Sequence, residues 1–269
     1  MSSKGFKTKK SLGQNFLKDE GVIEEIAESC GCSKEDTIVE IGPGLGVLTD
    51  ELSKRAGRVI AVELDDRLIP ILRTKFALRE NVEIVHSDIL KYDWQDAIDK
   101  AADSGVLRIA GNLPYYITTP ILLGILEKNV PAKTITVMVQ KEVADRIVAA
   151  PGGKDFGVLS VSIQYYSKAR KVLDVPSECF EPRPKVDSAV VVLELKDQRP
   201  LPKEEEPRFF RLVKQAFSQR RKTLLNSLTG FEGMSKEDVE SLLNKAGIDP
   251  KRRAETLSVE EYIHLSKEI

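Results

Sequence analysis

Residues 37–46, Thr-Ile-Val-Glu-Ile-Gly-Pro-Gly-Leu-Gly, decide the fold of this chain. The first five residues are rich in β-branched side chains, which predicts a short buried strand. The glycines that follow allow a tight turn, and the sequence then predicts a helix over residues 45–55. A strand, a glycine-rich turn and a helix in this order are typical of an α/β protein in which the helix N-terminus faces a ligand site.

The same alternation continues on the C-terminal side of this unit. Helices are predicted at 66–78, 120–127 and 142–149, and strands at 58–63, 82–86, 106–110, 134–140, 159–166 and 188–195. Strands separated by helices of this length predict βαβ crossovers, and hence a Rossmann-like, doubly wound and mainly parallel sheet covered on both faces. Cover on both faces explains why the run 188–195 shows no polar alternation.

The composition changes at residues 196–207, where three prolines and several charged residues predict a linker. Beyond the linker, apolar residues recur at helical spacing, and Ser235 and Ser258 each precede a predicted helix. The sequence therefore predicts two domains, an α/β domain over residues 1–196 and a small all-helical domain over residues 197–269.

The overall composition excludes several protein classes. With 41% hydrophobic and 31% charged residues in 269, the chain has the composition of a globular protein, not of a disordered, collagenous or disulfide-stapled one. No apolar run approaches the roughly 20 residues of a membrane span, and the N-terminus lacks the apolar core of a secretory signal. Three cysteines and two histidines are too few and too scattered to predict a metal site. We expect a cytoplasmic protein without metal or membrane.

The net charge of −1 hides two basic segments. Residues 1–18 contain five lysines and no acid, and residues 207–228 contain six basic residues and no acid. Clustered cations on a net-acidic body suggest a polyanionic partner such as a nucleic acid, although solvated surface charges would give the same pattern. The candidates for phosphate contact are Lys9, Lys10, Arg220, Arg221 and Lys222.

The glycine turn and two later acids predict a site for a nucleoside-containing cofactor. The third glycine of a dinucleotide-binding fingerprint would fall on Val47, so Gly42 and Gly44 instead resemble the first motif of class I S-adenosylmethionine-dependent methyltransferases. Glu63 follows Gly44 by nineteen residues and can accept both ribose hydroxyls. Asp88, after the strand at 82–86, can accept a hydrogen bond from the adenine amino group.

The sequence Asn112-Leu-Pro114-Tyr115-Tyr indicates which atom would be methylated. It resembles the motif of methyltransferases that act on exocyclic amines of bases or on amide nitrogens. The lone pair of adenine N6 is delocalised into the ring, so acceptors for its two N–H groups would make it a better nucleophile. We expect the Asn112 side-chain oxygen and a backbone carbonyl near Pro114 to serve as these acceptors, and Tyr115 to stack on the base. A sulfonium donor needs neither a metal nor a strong general base.

Several motifs together resemble the ribosomal RNA adenine N6,N6-dimethyltransferases, most closely their KsgA type. They lie at residues 11–17, 40–46, 112–120, 140–146, 180–188 and 217–228, so that the resemblance covers nearly the whole chain. This resemblance implies transfer of methyl groups from S-adenosylmethionine to two adjacent adenosines in a hairpin loop near the 3′ end of small-subunit rRNA, during maturation of the subunit.

The resemblance also implies roles for further residues. Gln14, Asn15 and Leu17 would form an N-terminal loop that closes over the cofactor. Asn112 would contact both the cofactor and the target amine. Phe180 would lie across the target adenine from Tyr115, giving a two-sided aromatic clamp.

Three alternatives remain open from the residues alone. The erythromycin-resistance type of enzyme shares the catalytic motifs but modifies large-subunit rRNA. A binding factor or assembly checkpoint on the immature small subunit would use the same surfaces with catalysis secondary. A small-molecule N-methyltransferase or a nucleotide-dependent dehydrogenase would explain the glycine turn but neither the basic segments nor the helical domain. A monomer is the default expectation for the oligomeric state.

Overall fold

The computed structural model describes residues 14–103, 105–219 and 221–269. Its contacts divide the chain into two compact units. The first unit comprises the residues up to Ala144 together with Ala169–Leu195, and the second comprises Asp145–Lys168 together with Lys196–Ile269.

The first unit is built on a seven-stranded sheet. In chain order its strands are β2 (Thr37–Ile41), β3 (Arg58–Glu63), β4 (Val82–His86), β5 (Leu107–Asn112), β6 (Ala132–Gln140), β7 (Ser167–Val175) and β9 (Ser188–Leu195). Across the sheet the order is β4-β3-β2-β5-β6-β9-β7. The pairs from β4 to β6 are parallel, whereas β9 runs antiparallel to β6. A separate antiparallel pair joins β1 (Phe16–Leu17) to β8 (Phe180–Glu181).

Eleven α-helices are found in the described ranges. The first six are α1 (Glu20–Ser29), α2 (Val47–Arg55), α3 (Ile69–Lys75), α4 (Gln95–Ala102), α5 (Thr118–Glu127) and α6 (Lys141–Val148). The others are α7 (Val158–Tyr166), α8 (Glu206–Ala216), α9 (Leu224–Leu228), α10 (Lys236–Lys245) and α11 (Val259–Lys267). Among the described residues, no helix has the length and hydropathy required to cross a membrane.

The doubly wound, mainly parallel sheet is confirmed, but the predicted strand at 159–166 is wrong. These residues belong to α7, in which seven of nine residues are buried. A helix buried on nearly all sides has no polar stripe, so its sequence cannot be distinguished by periodicity from a buried strand. The strand instead follows as β7, whose exposed charged side chains mark an edge strand.

The predicted linker at 196–207 is also wrong, because this segment packs into the second unit. Leu201 is 2% exposed. The buried Glu206 carboxylate is paired with Arg199 and accepts a hydrogen bond from the Tyr165 hydroxyl at 3.2 Å. Charged residues can be buried when they are paired in this way, so their presence did not indicate exposed chain.

The second unit recruits a segment that the predicted domain division, 1–196 and 197–269, assigns to the α/β domain. Tyr165 of α7 packs against Phe209 and Phe210 of α8, with ring centroids 4.7 and 5.3 Å apart. The predicted helix starts are confirmed, since Ser235 and Ser258 each form a capping box. The helical unit therefore draws on α7 as well as on the C-terminal residues.

The pairing of β2 with β5 depends on a glycine. Gly111 lies opposite Ile41, and a Cβ atom at Gly111 would lie 2.6 Å from the Ile41 carbonyl oxygen. The contact is with backbone, so a larger residue can be accommodated only if the two strands separate. Gly111 therefore fixes how closely the turn after β2 approaches the end of β5.

We expect Gly111→Ala to lower the free energy of unfolding by about 1–3 kcal/mol, the usual cost of overpacking a core. Urea denaturation measures this change. Gly124→Ala is the control, because a Cβ atom at Gly124 would meet nothing within 4 Å. Equal stability of the two variants would contradict the proposed strand contact.

Candidate active site

A cavity in the first unit lies at the carboxyl ends of β2, β3 and β5. Its lining includes all the cofactor residues predicted from the sequence, namely Gln14, Asn15, Leu17, Gly42, Gly44, Glu63, Asp88 and Asn112, together with Pro114 and Tyr115. The carboxyl edge of an open parallel sheet is where such folds bind ligands. The structure thus brings these residues together around one space.

The glycine turn lies on one wall of the cavity. Gly42, Gly44 and Gly46 have φ values of 65°, 60° and 72°, which side chains with a Cβ rarely adopt. The Lys75 ammonium group holds the end of this turn, donating to the carbonyl oxygens of Leu45 at 2.9 Å and Gly46 at 2.7 Å. Lys75 lies in no local motif, so its contact with the turn could not be predicted from the sequence.

Glu63 is fixed at the end of β3 by three backbone donors. Its carboxylate accepts from the amides of Gly44 at 3.1 Å, Leu64 at 2.9 Å and Asp65 at 2.8 Å. Burial raises its pKa, while these hydrogen bonds oppose the rise. A carboxylate held in this orientation at the cavity wall can accept from a vicinal diol.

Asp88 occupies the corresponding place after β4. The Asp88 carboxylate accepts a hydrogen bond from the backbone amide of Leu90 at 3.0 Å, and Asp88 lines the cavity. The hydrogen bond fixes one carboxylate oxygen close to its own backbone. The Asp88 carboxylate can accept further hydrogen bonds, since a carboxylate has about four lone-pair sites.

Asn112 ends β5, and a short turn follows it. The Asn112 side-chain nitrogen donates to the backbone carbonyl of Asn15 at 3.1 Å. The Pro114 carbonyl already accepts from the Ile117 amide at 3.2 Å and from the Thr118 hydroxyl at 3.0 Å. Two donors occupy both lone pairs of this oxygen, so the geometry disfavours Pro114 as an acceptor for a substrate amine.

The aromatic residues differ from the expectation in one respect. Tyr115 and Tyr116 line the cavity, and Tyr116 is 56% exposed. Phe180 is only 2% exposed and packs in the core with residues such as Met138. The structure therefore brings Tyr116, not Phe180, to the cavity beside Tyr115. The paired tyrosines of the motif were the available signal for Tyr116.

A hydrogen bond anchors the Tyr115 ring. Its hydroxyl lies 2.6 Å from the Ser188 hydroxyl, at the first residue of β9, and Ser188 is fully buried. Burial raises the pKa of Tyr115, so the phenol stays protonated. Ser188 closes the predicted 180–188 motif but had no role assigned from the sequence.

Part of the predicted basic surface can be located. Lys9, Lys10 and Arg220 lie outside the described residues. Arg221 and Lys222 are exposed. They lie in the connection between a 3₁₀ turn at 217–219 and α9. No cluster of three or more potential metal-ligating His, Cys, Asp or Glu side chains occurs in the described ranges.

The fold and this site define a class I methyltransferase that uses S-adenosylmethionine. The sequence profile of the family described as "Ribosomal RNA adenine dimethylase" matches residues 5–269. The chain belongs to this family.

Curated relatives and solved structures agree with this membership. The chain is 48% identical over 261 residues to "Ribosomal RNA small subunit methyltransferase A" of Clostridioides difficile, covering 97% of this chain and 90% of the relative. It is 46% identical over 266 residues to the protein of the same name from Geobacillus thermodenitrificans, covering 97% and 91%. The structure of the 23S rRNA methyltransferase ErmE matches with a TM-score of 0.74 at 28% identity, over 94% and 99% of the two chains. A dimethyladenosine transferase from Plasmodium falciparum shares the fold, with a TM-score of 0.81 at 24% identity over 93% and 95%.

Glu40 generates a prediction about pH. It is fully buried beneath the glycine turn, where burial raises its pKa to about 7, although the Thr49 hydroxyl donates to it at 2.5 Å. Because the folded-state pKa lies above the ordinary glutamate value of 4.5, Glu40 binds a proton more tightly in the native protein than in the unfolded chain between these pH values. The contribution of Glu40 to the free energy of unfolding therefore falls as the pH rises from about 4.5 to about 7.

Glu40→Gln removes this ionisation and keeps an oxygen for Thr49. We expect the stability of the wild type relative to the variant to fall by up to about 3 kcal/mol between pH 5 and pH 8. Urea denaturation across this range measures it, with the exposed Glu35→Gln as the control. A pH-independent difference between wild type and Glu40→Gln would contradict the assignment.

The Tyr115–Ser188 hydrogen bond generates a second prediction. We expect Tyr115→Phe and Ser188→Ala each to lower methyl transfer by about fivefold, since a neutral hydrogen bond contributes ~1 kcal/mol. The double variant is expected to lose no more than either single variant, because each change removes the same bond. Losses that multiply in the double variant would show that the two hydroxyls act independently.

Proposed function

We propose that this protein transfers methyl groups from S-adenosylmethionine to N6 of two adjacent adenosines in a hairpin loop near the 3′ end of small-subunit rRNA. The product is N6,N6-dimethyladenosine, formed during biogenesis of the small subunit. The observation that carries this proposal is the position of Asn112, at the end of β5 on the cavity that Gly42 and Glu63 also line. Membership of the adenine dimethylase family and the names of the curated relatives support the same substrate.

The cavity residues fit the cofactor. Glu63 supplies a fixed carboxylate for the ribose hydroxyls, Asp88 supplies an acceptor for the adenine amino group, and the turn at Gly42 and Gly44 lets backbone approach closely. Gln14, Asn15 and Leu17 cover the cavity from the N-terminal side. When bound, the cofactor supplies a methyl group on a sulfonium, which is a good leaving group.

Asn112 activates and aims the target nitrogen. Its side-chain nitrogen donates to the Asn15 carbonyl, so its oxygen faces away and can accept one N–H of the adenine amine. We assign the second acceptor to the carbonyl of Leu113, which lines the cavity, because the Pro114 carbonyl already has two donors. Two accepted hydrogen bonds localise the N6 lone pair and align it with the methyl group, while Tyr115 stacks on the base.

RNA contact extends beyond the cavity. We propose that Lys9, Lys10, Arg220, Arg221 and Lys222 contact rRNA phosphates. We also propose that residues 197–269 form an RNA-substrate domain and residues 1–196 a methyltransferase domain. The exposure of Arg221 and Lys222 supports this role. The burial of Phe180 means that stacking on the target base would require its ring to be uncovered. The protein is proposed to act in the cytoplasm as a monomer on the immature small subunit.

The rival functions are less well supported. The resemblance to the structure of ErmE is one of fold at 28% identity, whereas curated relatives with 46–48% identity carry the small-subunit name. A binding factor without catalysis would not need a cavity lined by Asn112, Tyr115 and all the predicted cofactor residues.

The test is transfer of labelled methyl groups to unmethylated small subunits, followed by nucleoside analysis. Large subunits and fully methylated small subunits are the substrate controls. Dimethyladenosine on the unmethylated small subunit alone would support the proposal. Labelling of large-subunit RNA would favour the erythromycin-resistance type, and tight small-subunit binding without transfer would favour the binding factor.

Asn112→Ala tests the assigned mechanism. We expect methyl transfer to fall by at least about 100-fold, because an acceptor needed in the transition state is lost, while affinity for the small subunit changes little. Gln95→Ala, an exposed change on α4, is the matched control. Turnover of Asn112→Ala close to that of the wild type would refute the role of Asn112.

A further inference from the structure

The Asp65 carboxylate is buried next to Gln14, which lines the cavity, and belongs to no motif. The Asp65 side chain has 0% exposure. Asp65 follows Glu63 by two residues. A buried charge is costly unless it is paired and hydrogen-bonded. Asp65 therefore needs partners, and their identity indicates what it does.

Among the described residues, Asp65 is bonded to side chains of two different kinds. One carboxylate oxygen accepts from Arg67 Nε at 2.9 Å, and the other accepts from Arg67 at 2.5 Å and from the Gln14 side-chain amide at 2.9 Å. The bonds from Arg67 hold the pKa of Asp65 well below its usual range, so the carboxylate stays charged. Arg67 stabilises the charge, whereas Gln14 connects Asp65 to a segment 51 residues earlier in the chain.

That segment crosses the cavity. Gln14, Asn15, Phe16 and Leu17 all line it, and the Phe16 ring lies against Gly44, where a Cβ atom would be 3.1 Å from the ring. The segment then pairs with β8. The bond from Gln14 to Asp65 (the tether) is one of the side-chain contacts that hold this segment at the cavity.

The residue after Gln14 contacts the residue proposed to act on the target amine. The backbone carbonyl of Asn15 accepts from the side-chain nitrogen of Asn112 at 3.1 Å. A carbonyl can only accept, so this contact selects the orientation of the Asn112 amide in which its oxygen points away from Asn15. If Asn15 moved, the amide would lose the group that fixes this orientation.

We infer that Asp65 is a positioning residue for methyl transfer: by holding Gln14 it fixes the carbonyl of Asn15, which orients the Asn112 amide. This inference rests on the proposed function and adds to it a residue that is not part of the cavity lining. Asp65 acts through the N-terminal segment, and its pair with Arg67 keeps the carboxylate charged where it is buried.

Substitutions can separate the two partners of Asp65. Asp65→Ala and Gln14→Ala each break the tether, and Asp65→Asn keeps an oxygen that can accept from Gln14. Arg67→Met removes the ion pair but leaves the Asp65–Gln14 bond, and Arg67 does not line the cavity. Arg67→Met is therefore the matched control.

The first measurement is the rate of methyl transfer to saturating small subunits. We expect Asp65→Ala and Gln14→Ala each to lower it about tenfold, and the double variant to lose no more than either one, as for groups that act as one unit. Asp65→Asn and Arg67→Met should stay within about threefold of the wild type, since the tether remains. Multiplying losses in the double variant, or a loss in Arg67→Met equal to that in Asp65→Ala, would overturn the inference.

The second measurement is hydrogen exchange of the backbone amides of residues 15–17, which needs no substrate. Faster exchange in Asp65→Ala and Gln14→Ala, but not in Arg67→Met, would support the tether, and unchanged exchange would overturn it. If Asp65→Ala does not fold, Gln14→Ala decides by the same criteria. An inactive wild type would count against the proposed function only, because the exchange result judges the tether separately.

Discussion

The register of three parallel strands is the constraint on which the rest of the site depends. Ile41 of β2 lies opposite Val62 of β3 on one side and opposite Gly111 of β5 on the other. The next residues along these strands are Gly42, Glu63 and Asn112. The glycine turn, the Glu63 carboxylate and the Asn112 amide therefore lie side by side at the carboxyl edge of the sheet. A register slip of one residue would turn these side chains to the other face.

Three acids lie around the glycine turn, and each meets a different environment. Glu40 has one hydroxyl donor and is otherwise desolvated, so its pKa is raised to about 7. Glu63 has three backbone donors and its pKa is also raised by burial. Asp65 has a guanidinium partner, and its pKa is lowered. These differences come from the partners of each group, since all three are acids within 26 consecutive residues.

Local signals were sufficient for most of the first unit. The strands at 82–86 and 188–195 have the predicted bounds, because a short apolar run between turn residues indicates a strand from the local sequence alone. The residues expected to hold the cofactor all line one cavity, because the carboxyl ends of neighbouring parallel strands meet at one edge of a sheet. The prediction failed for α7, because burial on nearly every side removes the polar stripe that marks a helix.

The sequence by itself determined the α/β class, most strands and helices of the parallel part of the sheet, and the chemical types gathered at the strand ends. Only the tertiary structure decided which groups face each other across long separations in the chain. It paired Tyr115 with Ser188, Lys75 with the glycine turn and Gln14 with Asp65, and it buried Phe180. Hydrogen bonds between side chains depend on distances of about 3 Å, which no local pattern of residues specifies. Periodicity and turn chemistry act over a few neighbouring residues, so they could predict the elements but not these contacts.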